Sequence, residues 1–351
     1  MQKYIFVFLG EFGYELLNWQ AVVKKFSTTI NSEKEKIICC SRANLYQLYE
    51  GSDYIDISEL PLFKKSVACM YFGLDPAYRE NLRHKKNRQF QKKLISQIKN
   101  YALKKLYQKR EISFFSYAIY KIFGLNPRCC KFIFSCNHEV LNGIDFGLDL
   151  KHSQSDLERV DIYSKNIIPH NSFAKILPNF EVKKEIEKSL GFALDENYIL
   201  CQTGNRQIIT RSADIIDKEA IILDLAKDQK VILLSFNSGR NLDSGSTFEK
   251  IYDNVYEYKC REFKEQSCLI YFSKFCVFFT EGDFRSHNYV PPFLGKNVIS
   301  IAPKSVFALG NAPIDFWNRE IFKFGGKIIA VESEELQKDH RAIKNYLSQA
   351  L

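Results

Sequence analysis

Two carboxylates stand close together near the start of the chain, in a loop that follows an apolar segment. Residues 4–9 (YIFVFL) predict a buried strand, Gly10-Glu11-Phe12-Gly13 follows it, and 14–27 predicts an amphipathic helix. The two glycines allow a tight turn and close approach of a ligand to the backbone. Because carboxylates repel phosphate, Glu11 is predicted to be a general base, and Glu15 is a second catalytic candidate. A favourable charge at a helix N-terminus is the alternative role for Glu11.

A denser polar cluster follows a later apolar segment, 275–280 (FCVFFT). The sequence Glu281-Gly282-Asp283-Phe284-Arg285-Ser286-His287 comes directly after it, and a short helix is expected over 287–294. Polar groups crowded at the end of one strand favour a ligand-binding loop, and a helix cap by Ser286 among solvated charges is the alternative. Sparser loops of the same kind follow 198–202 (Thr203-Gly204-Asn205-Arg206, then Arg211) and 231–236 (Asn237-Ser238-Gly239-Arg240).

The elements that must position these loops alternate between strands and helices in both halves of the chain. Further strands are predicted at 36–41, 54–57, 297–301 and 327–331, and further helices at 42–50, 181–190, 217–228, 263–273 and 333–349. Strands separated by helices predict parallel sheets, so the fold class is α/β with two Rossmann-like lobes facing a cleft. In open parallel sheets, ligands bind outside the carboxyl ends of the strands.

The stretch from about 137 to 180 is poor in predicted strands and is interpreted as a connector. We therefore expect an N-terminal Rossmann-like lobe over 1–165 and a C-terminal Rossmann-like lobe over 166–332. The last segment, 333–351, is expected to form a helix that packs back on the first lobe.

A basic helical insertion near 79–123 interrupts the first lobe. Residues 79–110 hold twelve Lys and Arg against one acid, a local charge of 12 − 1 = +11, whereas the whole chain is +9. Apolar residues recur every four positions from Phe90 to Leu106, and an aromatic segment follows at 113–123. This pattern favours docking on an anionic membrane surface, while packing on the first lobe and nucleic-acid binding are the alternatives. The candidate membrane or acceptor contacts are Lys85, Lys86, Lys92, Lys93 and Lys99.

Composition excludes several other classes of protein. The chain is 46% hydrophobic and 26% charged, which is typical of a folded soluble protein, and it has no apolar run long enough to span a membrane. Its N-terminus does not resemble a signal peptide, and its ten cysteines lack metal-binding spacing, so we expect reduced thiols and a cytoplasmic location. Because no DxD carboxylate pair stands at a strand end, we expect a metal-independent reaction.

These features together resemble the GT-B glycosyltransferases that use nucleotide sugars. The spacing of Gly10, Gly13 and Leu16 is similar to the opening turn of some bacterial fucosyltransferase-like enzymes. In heptosyltransferase-like enzymes an acid after the first strand serves as the base, and Glu11 matches that position. The unit from 281 through Leu294-Gly295-Lys296 is similar to the donor-binding unit of the second lobe in these enzymes.

The resemblance implies roles for the polar loops. Ser286 and the helix N-terminus would hold a diphosphate with Arg285 as counter-charge, and Glu281 or His287 would bind donor hydroxyls. Arg206, which follows the strand predicted at 198–202, would bind phosphate oxygens through its guanidinium group. The candidate donor- or nucleotide-binding residues are Gly10, Gly13, Thr203, Gly204, Asn205, Arg206, Arg211, Asn237, Glu281, Gly282, Asp283, Arg285, Ser286 and His287.

The function implied by the resemblance is transfer of a sugar from a nucleotide-sugar donor to a glycan or lipid-linked acceptor, in the synthesis of bacterial capsule or lipopolysaccharide. The nucleotide sugar is a co-substrate, and no cofactor, metal or nucleic-acid partner is expected. The protein would be cytoplasmic and peripheral on the inner membrane. A related transferase of pyruvyl or phospho-substituents, and a non-catalytic membrane-docked binding protein, are the alternatives.

Overall fold

The computed structural model describes residues 1–42, 45–69, 72–78, 84–136, 173–195, 197–202, 216–236, 247–260, 262–280, 286–304, 307, 314, 318 and 322–351. These residues form two compact units. The first contains the described residues up to Cys136 with Phe173 and Ala174, and the second contains those from Lys175 to Leu351. The predicted lobe boundary at residue 165 lies outside the described residues.

The first unit is built on a sheet of four parallel strands in the order β3-β2-β1-β6. The strands are β1 (Gln2–Val7), β2 (Glu35–Ser41), β3 (Asp53–Asp56) and β6 (Cys130–Phe134), and a separate hairpin joins β4 (Val67–Cys69) to β5 (Phe72–Leu74). The helices are α1 (Phe12–Tyr14), which continues through a π-helical turn (Glu15–Trp19) into α2 (Gln20–Ser27), then α3 (Pro61–Lys65), α4 (Lys85–Gln108) and α5 (Phe114–Phe123). The predicted parallel α/β arrangement is confirmed for this unit.

Both faces of the first sheet are covered, as a parallel sheet requires. On one face Phe6 and Phe8 each lie 5.9 Å from the ring of Trp19, measured between ring centroids. On the other face Ile5, Val7 and Leu9 belong to a buried cluster that includes the apolar stripe of α4.

This packing corrects the interpretation of the basic helix. Its stripe was expected to face a membrane, but Leu94, Ile98 and Ala102 are fully buried against the first sheet. Each buried leucine or isoleucine stabilises the fold by about 1.5–3 kcal/mol, so the stripe forms core structure. Lys99 also turns inward, because its ammonium group lies 5.6 Å from the Phe132 ring and burial lowers its pKa.

The second unit contains a seven-stranded sheet in the order β13-β12-β11-β7-β8-β10-β9. Its strands are β7 (Tyr198–Gln202), β8 (Lys230–Phe236), β9 (Thr247–Tyr252), β10 (Val255–Cys260), β11 (Phe275–Phe279), β12 (Val298–Ala302) and β13 (Ile328–Glu332). All neighbours are parallel except the edge strand β9, which is antiparallel to β10. The described helices are α6 (Lys183–Leu190), α7 (Lys218–Ala226), α8 (Phe263–Phe272), α9 (Val290–Phe293), α10 (Ser333–Lys338) and α11 (Lys344–Ala350).

The predicted strands of this unit are confirmed, with the addition of β9 and β10. Sequence reasoning missed this pair because charged residues interrupt both strands (TFEKIY and VYEYKC), so neither forms an apolar run. The first unit shows a similar difference, since β6 and the hairpin were not predicted and the helix expected over 42–50 is a 3-10 turn at Tyr46–Leu48.

The C-terminal segment packs on the second sheet, and its expected packing on the first lobe stays a prediction. Ile343 and Ala350 are buried in the core that also contains Ile299 and Val331. Asn297 Nδ2 donates a hydrogen bond to the Ala350 carbonyl oxygen at 3.0 Å. The chain leaves β13 and folds directly back over the strands that precede it. Among the described residues, no helix combines the length and apolarity needed to cross a membrane.

Candidate functional site

The strand order of each sheet reverses at one point, and such reversals are where open parallel sheets bind ligands. In the first sheet, β2 and β3 lie on one side of β1 and β6 lies on the other. In the second sheet, β8 and β10 lie on one side of β7 and β11 lies on the other. The carboxyl ends of β1 and β6, and of β7 and β11, are therefore the expected ligand positions within each unit.

Glu11 occupies the first of these positions. It follows β1 by four residues, its backbone is extended, and its side chain is exposed without capping the helix that it precedes. Its carbonyl oxygen accepts hydrogen bonds from the backbone N–H groups of Tyr14 and Glu15, each at 3.1 Å. On the β6 side of the reversal, Ser135 Oγ accepts a hydrogen bond from the Leu9 N–H at 3.1 Å. The structure thus places an exposed carboxylate on a turn whose backbone is held on both sides.

Glu15 has a different environment from Glu11. Its side chain is completely buried, and Tyr49 Oη donates a hydrogen bond to Glu15 Oε1 at 2.6 Å. Burial raises the pKa of Glu15, while the charge of Arg42 and the hydrogen bond from Tyr49 act in the opposite direction. A carboxyl group enclosed in this way contacts other side chains rather than solvent.

Arg42 acts on both the buried carboxyl group of Glu15, through its charge, and the turn that carries Glu11. It follows β2 directly, and its guanidinium Nη2 donates a hydrogen bond to the carbonyl oxygen of Gly10. The hydroxyl of Tyr54 donates to the carbonyl oxygen of Arg42, and the Tyr54 ring stacks on that of Tyr49. Sequence reasoning missed these three residues, although Arg42 could have been found as a cation directly after a predicted strand.

At the second reversal, a neutral hydrogen-bond network follows β11. Asn288 Nδ2 donates to Thr280 Oγ1 at 3.0 Å, and Ser300 Oγ donates to Asn288 Oδ1 at 2.8 Å. All three side chains are buried. The network holds the 3-10 turn at Ser286–Tyr289 against the end of β11 and the middle of β12. Sequence reasoning named the neighbours of Asn288 but not Asn288 itself.

His287 and Gln202 lie at the same edge. His287 is half-buried, with its ring 5.7 Å from the Phe278 ring and its Nε2 3.3 Å from Asn288 Nδ2. Gln202 ends β7 beside Phe278 of β11. It is buried, and among the described residues its Oε1 has no hydrogen-bond partner. This edge therefore carries a polar side chain on each side of Phe278.

Most of the predicted donor-binding residues lie outside the described part of the chain. They are Thr203, Gly204, Asn205, Arg206, Arg211, Asn237, Glu281, Gly282, Asp283 and Arg285. Ser286 is described as the first residue of its 3-10 turn. Of the predicted membrane or acceptor contacts on α4, Lys85, Lys86, Lys92 and Lys93 are exposed, and the Lys86 ammonium group lies 5.6 Å from the Tyr78 ring.

The described cysteines fit the expectation of packed, reduced thiols. Cys39, Cys201 and Cys276 are buried and unpaired, and burial raises the pKa of each thiol. A thiol with a raised pKa is a poor nucleophile at neutral pH. Within the described ranges, no group of three or more His, Cys, Asp or Glu side chains is arranged to hold a metal ion.

Comparison with known proteins gives matches in structure alone: no protein-family model and no curated protein sequence matches the chain. The chain is similar to E. coli ADP-heptose lps heptosyltransferase II, with a TM-score of 0.48, 8% identity, and coverage of 99% of this chain and 100% of that one. It is similar to the glycosyl transferase family 9 from Veillonella parvula, with a TM-score of 0.46, 10% identity, and coverage of 98% and 89%. It is also similar to E. coli heptosyltransferase WaaC with ADP, with a TM-score of 0.44, 11% identity and full coverage of both chains.

Proposed function

We propose that the protein is a nucleotide-sugar-dependent glycosyltransferase of the GT-B type, in which the first unit binds the acceptor and the second binds the donor. The observation that supports this most strongly is the position of Glu11. It is an exposed carboxylate at the strand-order reversal of the first sheet, on a glycine-bounded turn. A general base must reach the proton that it removes, and an exposed group at a ligand-binding edge meets that requirement.

In the proposed reaction, Glu11 accepts the proton of an acceptor hydroxyl while the hydroxyl oxygen attacks the anomeric carbon of the donor. The new glycosidic C–O bond forms as the bond between that carbon and the nucleotide's phosphate oxygen breaks. The bonding electrons leave with the nucleotide phosphate. The stereochemistry at the anomeric carbon is inverted, because attack and departure occur on opposite faces.

The donor site is assigned to the second reversal, at the ends of β7 and β11. The polar sequences 203–211 and 281–287 directly follow these two strands and supply Arg206, Arg211 and Arg285. Guanidinium groups stabilise the charge that develops on a leaving diphosphate. We include Asn237, after β8, in the same site, and we propose that the reaction needs no metal ion.

Glu15 and Arg42 are proposed as positioning residues. The buried carboxyl group of Glu15 supplies the charge that favours Arg42, and Arg42 holds the carbonyl oxygen of Gly10. This fixes the backbone from which the Glu11 side chain extends. Because the backbone that carries it is already fixed, Glu11 loses less conformational entropy when the substrate binds.

The acceptor is proposed to be a glycan or a lipid-linked glycan of a bacterial surface polysaccharide, presented at the inner face of the membrane. Support comes from the local charge of +11 over residues 79–110, which complements an anionic lipid surface. The enzyme would then be cytoplasmic and peripheral on the membrane.

The test compares Glu11→Gln with Glu33→Gln, a matched change at an exposed carboxylate away from the reversal. Release of nucleotide is measured over a panel of UDP-, GDP-, ADP- and CMP-sugars with extracted bacterial glycolipid as acceptor, and products are weighed by mass spectrometry. Glu11→Gln is expected to lower turnover by about 10²-fold or more, and Glu33→Gln should leave it unchanged. Wild-type turnover in the Glu11→Gln variant would show that Glu11 is not the general base. A product carrying a group other than a sugar would contradict the proposed function.

A further inference from the structure

The outward face of α5 carries large apolar side chains that remain exposed among the residues that the structure describes. The exposed fraction is 69% for Phe114, 73% for Phe115, 72% for Ile122 and 68% for Phe123. At about 3.6 residues per turn, these positions fall on one half of the helix circumference, opposite Tyr120. Tyr120 is buried in the core of the first unit. The helix is therefore apolar both toward the core and toward solvent.

This arrangement differs from that of an ordinary surface helix, whose outward face is polar. Leu125, 61% exposed, extends the apolar surface beyond the end of the helix. Large contiguous apolar surfaces on a folded protein mark places where it meets another apolar phase or partner. We call the surface formed by Phe114, Phe115, Ile122, Phe123 and Leu125 the α5 patch.

The segment that carries the α5 patch is strongly basic. Residues 104–131 hold seven Lys and Arg and one acid, a net charge of 7 − 1 = +6. The acid, Glu111, already contacts Lys36, with 3.3 Å between its Oε2 and the lysine Nζ. The exposed cations of the segment are Lys104, Lys109, Arg110, Lys121, Arg128 and Lys131. Apolar groups surrounded by cations complement a membrane whose surface is anionic and whose interior is apolar.

The α5 patch is held in a fixed orientation. Ser113 Oγ accepts a hydrogen bond from the Ser116 N–H at 3.2 Å and caps the start of the helix. Gly124 ends the helix with φ at +68°, a conformation that favours glycine. The Tyr107 ring of α4 stacks on the Tyr117 ring of α5 with a centroid distance of 5.1 Å. The aromatic side chains are thus presented outward by a helix that is anchored to α4.

From these observations we infer that the α5 patch is the surface by which the protein docks on an anionic lipid bilayer. Phe114, Phe115 and Ile122 insert among the lipids, and the surrounding cations bind the headgroups. This inference names the docking surface for the proposed membrane-presented acceptor and rests on that proposal for its biological purpose. The lysine face of α4 adds to the attraction for an anionic surface, but its apolar stripe is buried and inserts no group into the lipid.

Two charge-reversal variants with equal net charge separate the two surfaces. Lys109→Glu with Lys121→Glu changes the surroundings of the α5 patch, whereas Lys92→Glu with Lys93→Glu changes the middle of α4. Lys93 precedes Lys109 by 16 positions, which at about 1.5 Å per residue is about 24 Å along the helix. This exceeds the screening length of about 8 Å at physiological ionic strength.

Binding is measured by co-sedimentation with vesicles of phosphatidylcholine alone and with vesicles that also contain phosphatidylglycerol. No sugar nucleotide is added, so failure to bind vesicles and failure to transfer a sugar are separate results. The wild type is expected to bind the anionic vesicles only. Lys109→Glu with Lys121→Glu should weaken this binding by more than about tenfold, and the α4 pair by less than about threefold. An equal or larger loss in the α4 pair would overturn the inference.

The apolar part of the inference is tested with Phe115→Gln and Ile122→Gln together. The control pair is Ile251→Gln and Leu351→Gln, which are exposed apolar residues of the second unit. The first pair should lose vesicle binding while its thermal unfolding midpoint stays at the wild-type value, and the control pair should bind like the wild type. Unchanged binding in the first pair would overturn the inference. The inference would also be overturned if sedimentation velocity showed that the wild type is a dimer and that Phe115→Gln with Ile122→Gln, but not the control pair, dissociates it.

Discussion

The two strand-order reversals share their topology but differ in their polar groups. Beside β1, the described side chains are ionisable: Glu11 is exposed, and Glu15 and Arg42 lie behind it. Beside β11, the described buried network is neutral and consists of Thr280, Asn288 and Ser300. The first edge therefore presents an exposed carboxylate with ionisable groups buried nearby, whereas the buried groups of the second edge are neutral and its described ionisable group, His287, is half-buried beside Asn288.

This difference shows how one topology supports two roles. A buried charge is expensive unless it is compensated, and the charge of Arg42 and the hydroxyl of Tyr49 compensate that of Glu15 only in part, because burial still raises its pKa. A neutral network of hydroxyl and amide groups holds its geometry without that expense, provided that its groups are hydrogen-bonded. Three substitutions test this difference between the two edges.

Asn288→Ala should have the largest effect, because it removes the centre of the neutral network. The hydroxyls of Thr280 and Ser300 would stay buried and lose their partner, and each such loss destabilises a protein by about 1–3 kcal/mol. We expect the free energy of unfolding in urea to fall by about 3 kcal/mol. Asn345→Ala, at an exposed position of α11, serves as the control and should unfold like the wild type. A loss below about 1 kcal/mol would show that the network does not shape this edge.

Arg42→Lys should have an intermediate effect, on turnover rather than on stability. Lysine keeps the positive charge but lacks the planar guanidinium group that reaches the Gly10 carbonyl oxygen. The turn would be less fixed, so kcat should fall by about tenfold, equivalent to about 1.4 kcal/mol. Nucleotide affinity should stay unchanged, because the donor is assigned to the second unit.

Arg88→Lys, on the exposed face of α4, is the matched control for this measurement. If Arg42→Lys lowered nucleotide affinity as much as kcat, its role would not be limited to positioning Glu11. Unchanged kcat would show that Arg42 does not position Glu11.

Glu15→Gln should have the smallest effect, visible as a change in pH dependence. Burial raises the pKa of Glu15 above its ordinary value of 4.5, so the folded protein binds this proton more tightly than the unfolded chain. The wild type should therefore lose stability as pH rises from 4.5 through the raised pKa, relative to the glutamine variant, which cannot titrate there. The difference in unfolding midpoint between the two proteins, followed from low to neutral pH, measures this effect. A difference that does not vary with pH would contradict the raised pKa.

The sequence was sufficient where one element carried its own signal. The apolar runs of β1, β7, β8 and β11 predicted buried parallel strands, and the four-residue spacing from Phe90 to Leu106 predicted α4. The same spacing could not say what covers the stripe. A leucine side chain can be buried by a lipid bilayer or by a β-sheet. Only the folded structure shows that the first sheet covers the apolar stripe of α4.

The candidate site was predictable only in part, for a related reason. Glu11 follows a strand inside a glycine turn, and this is visible in the sequence. Arg42 reaches Gly10, and Tyr49 reaches Glu15, through contacts between residues far apart in the chain, and Tyr54 in turn contacts Arg42. The exposure of the α5 patch likewise depends on which side of the helix meets the core, and Tyr120 settles that only in the folded protein.

The central claim is that the protein binds a nucleotide sugar, and thermal unfolding of the wild type with UDP, GDP, CDP, CMP and ADP tests it most directly. A nucleotide at 100 times its Kd stabilises the folded state by about 2.7 kcal/mol, which is a readily measured shift in midpoint. We predict that one nucleotide of the panel raises the midpoint and that Mg²⁺ does not alter the shift. A shift that requires Mg²⁺ would contradict the metal-free reaction, and an unchanged midpoint with all five nucleotides would contradict the proposed function.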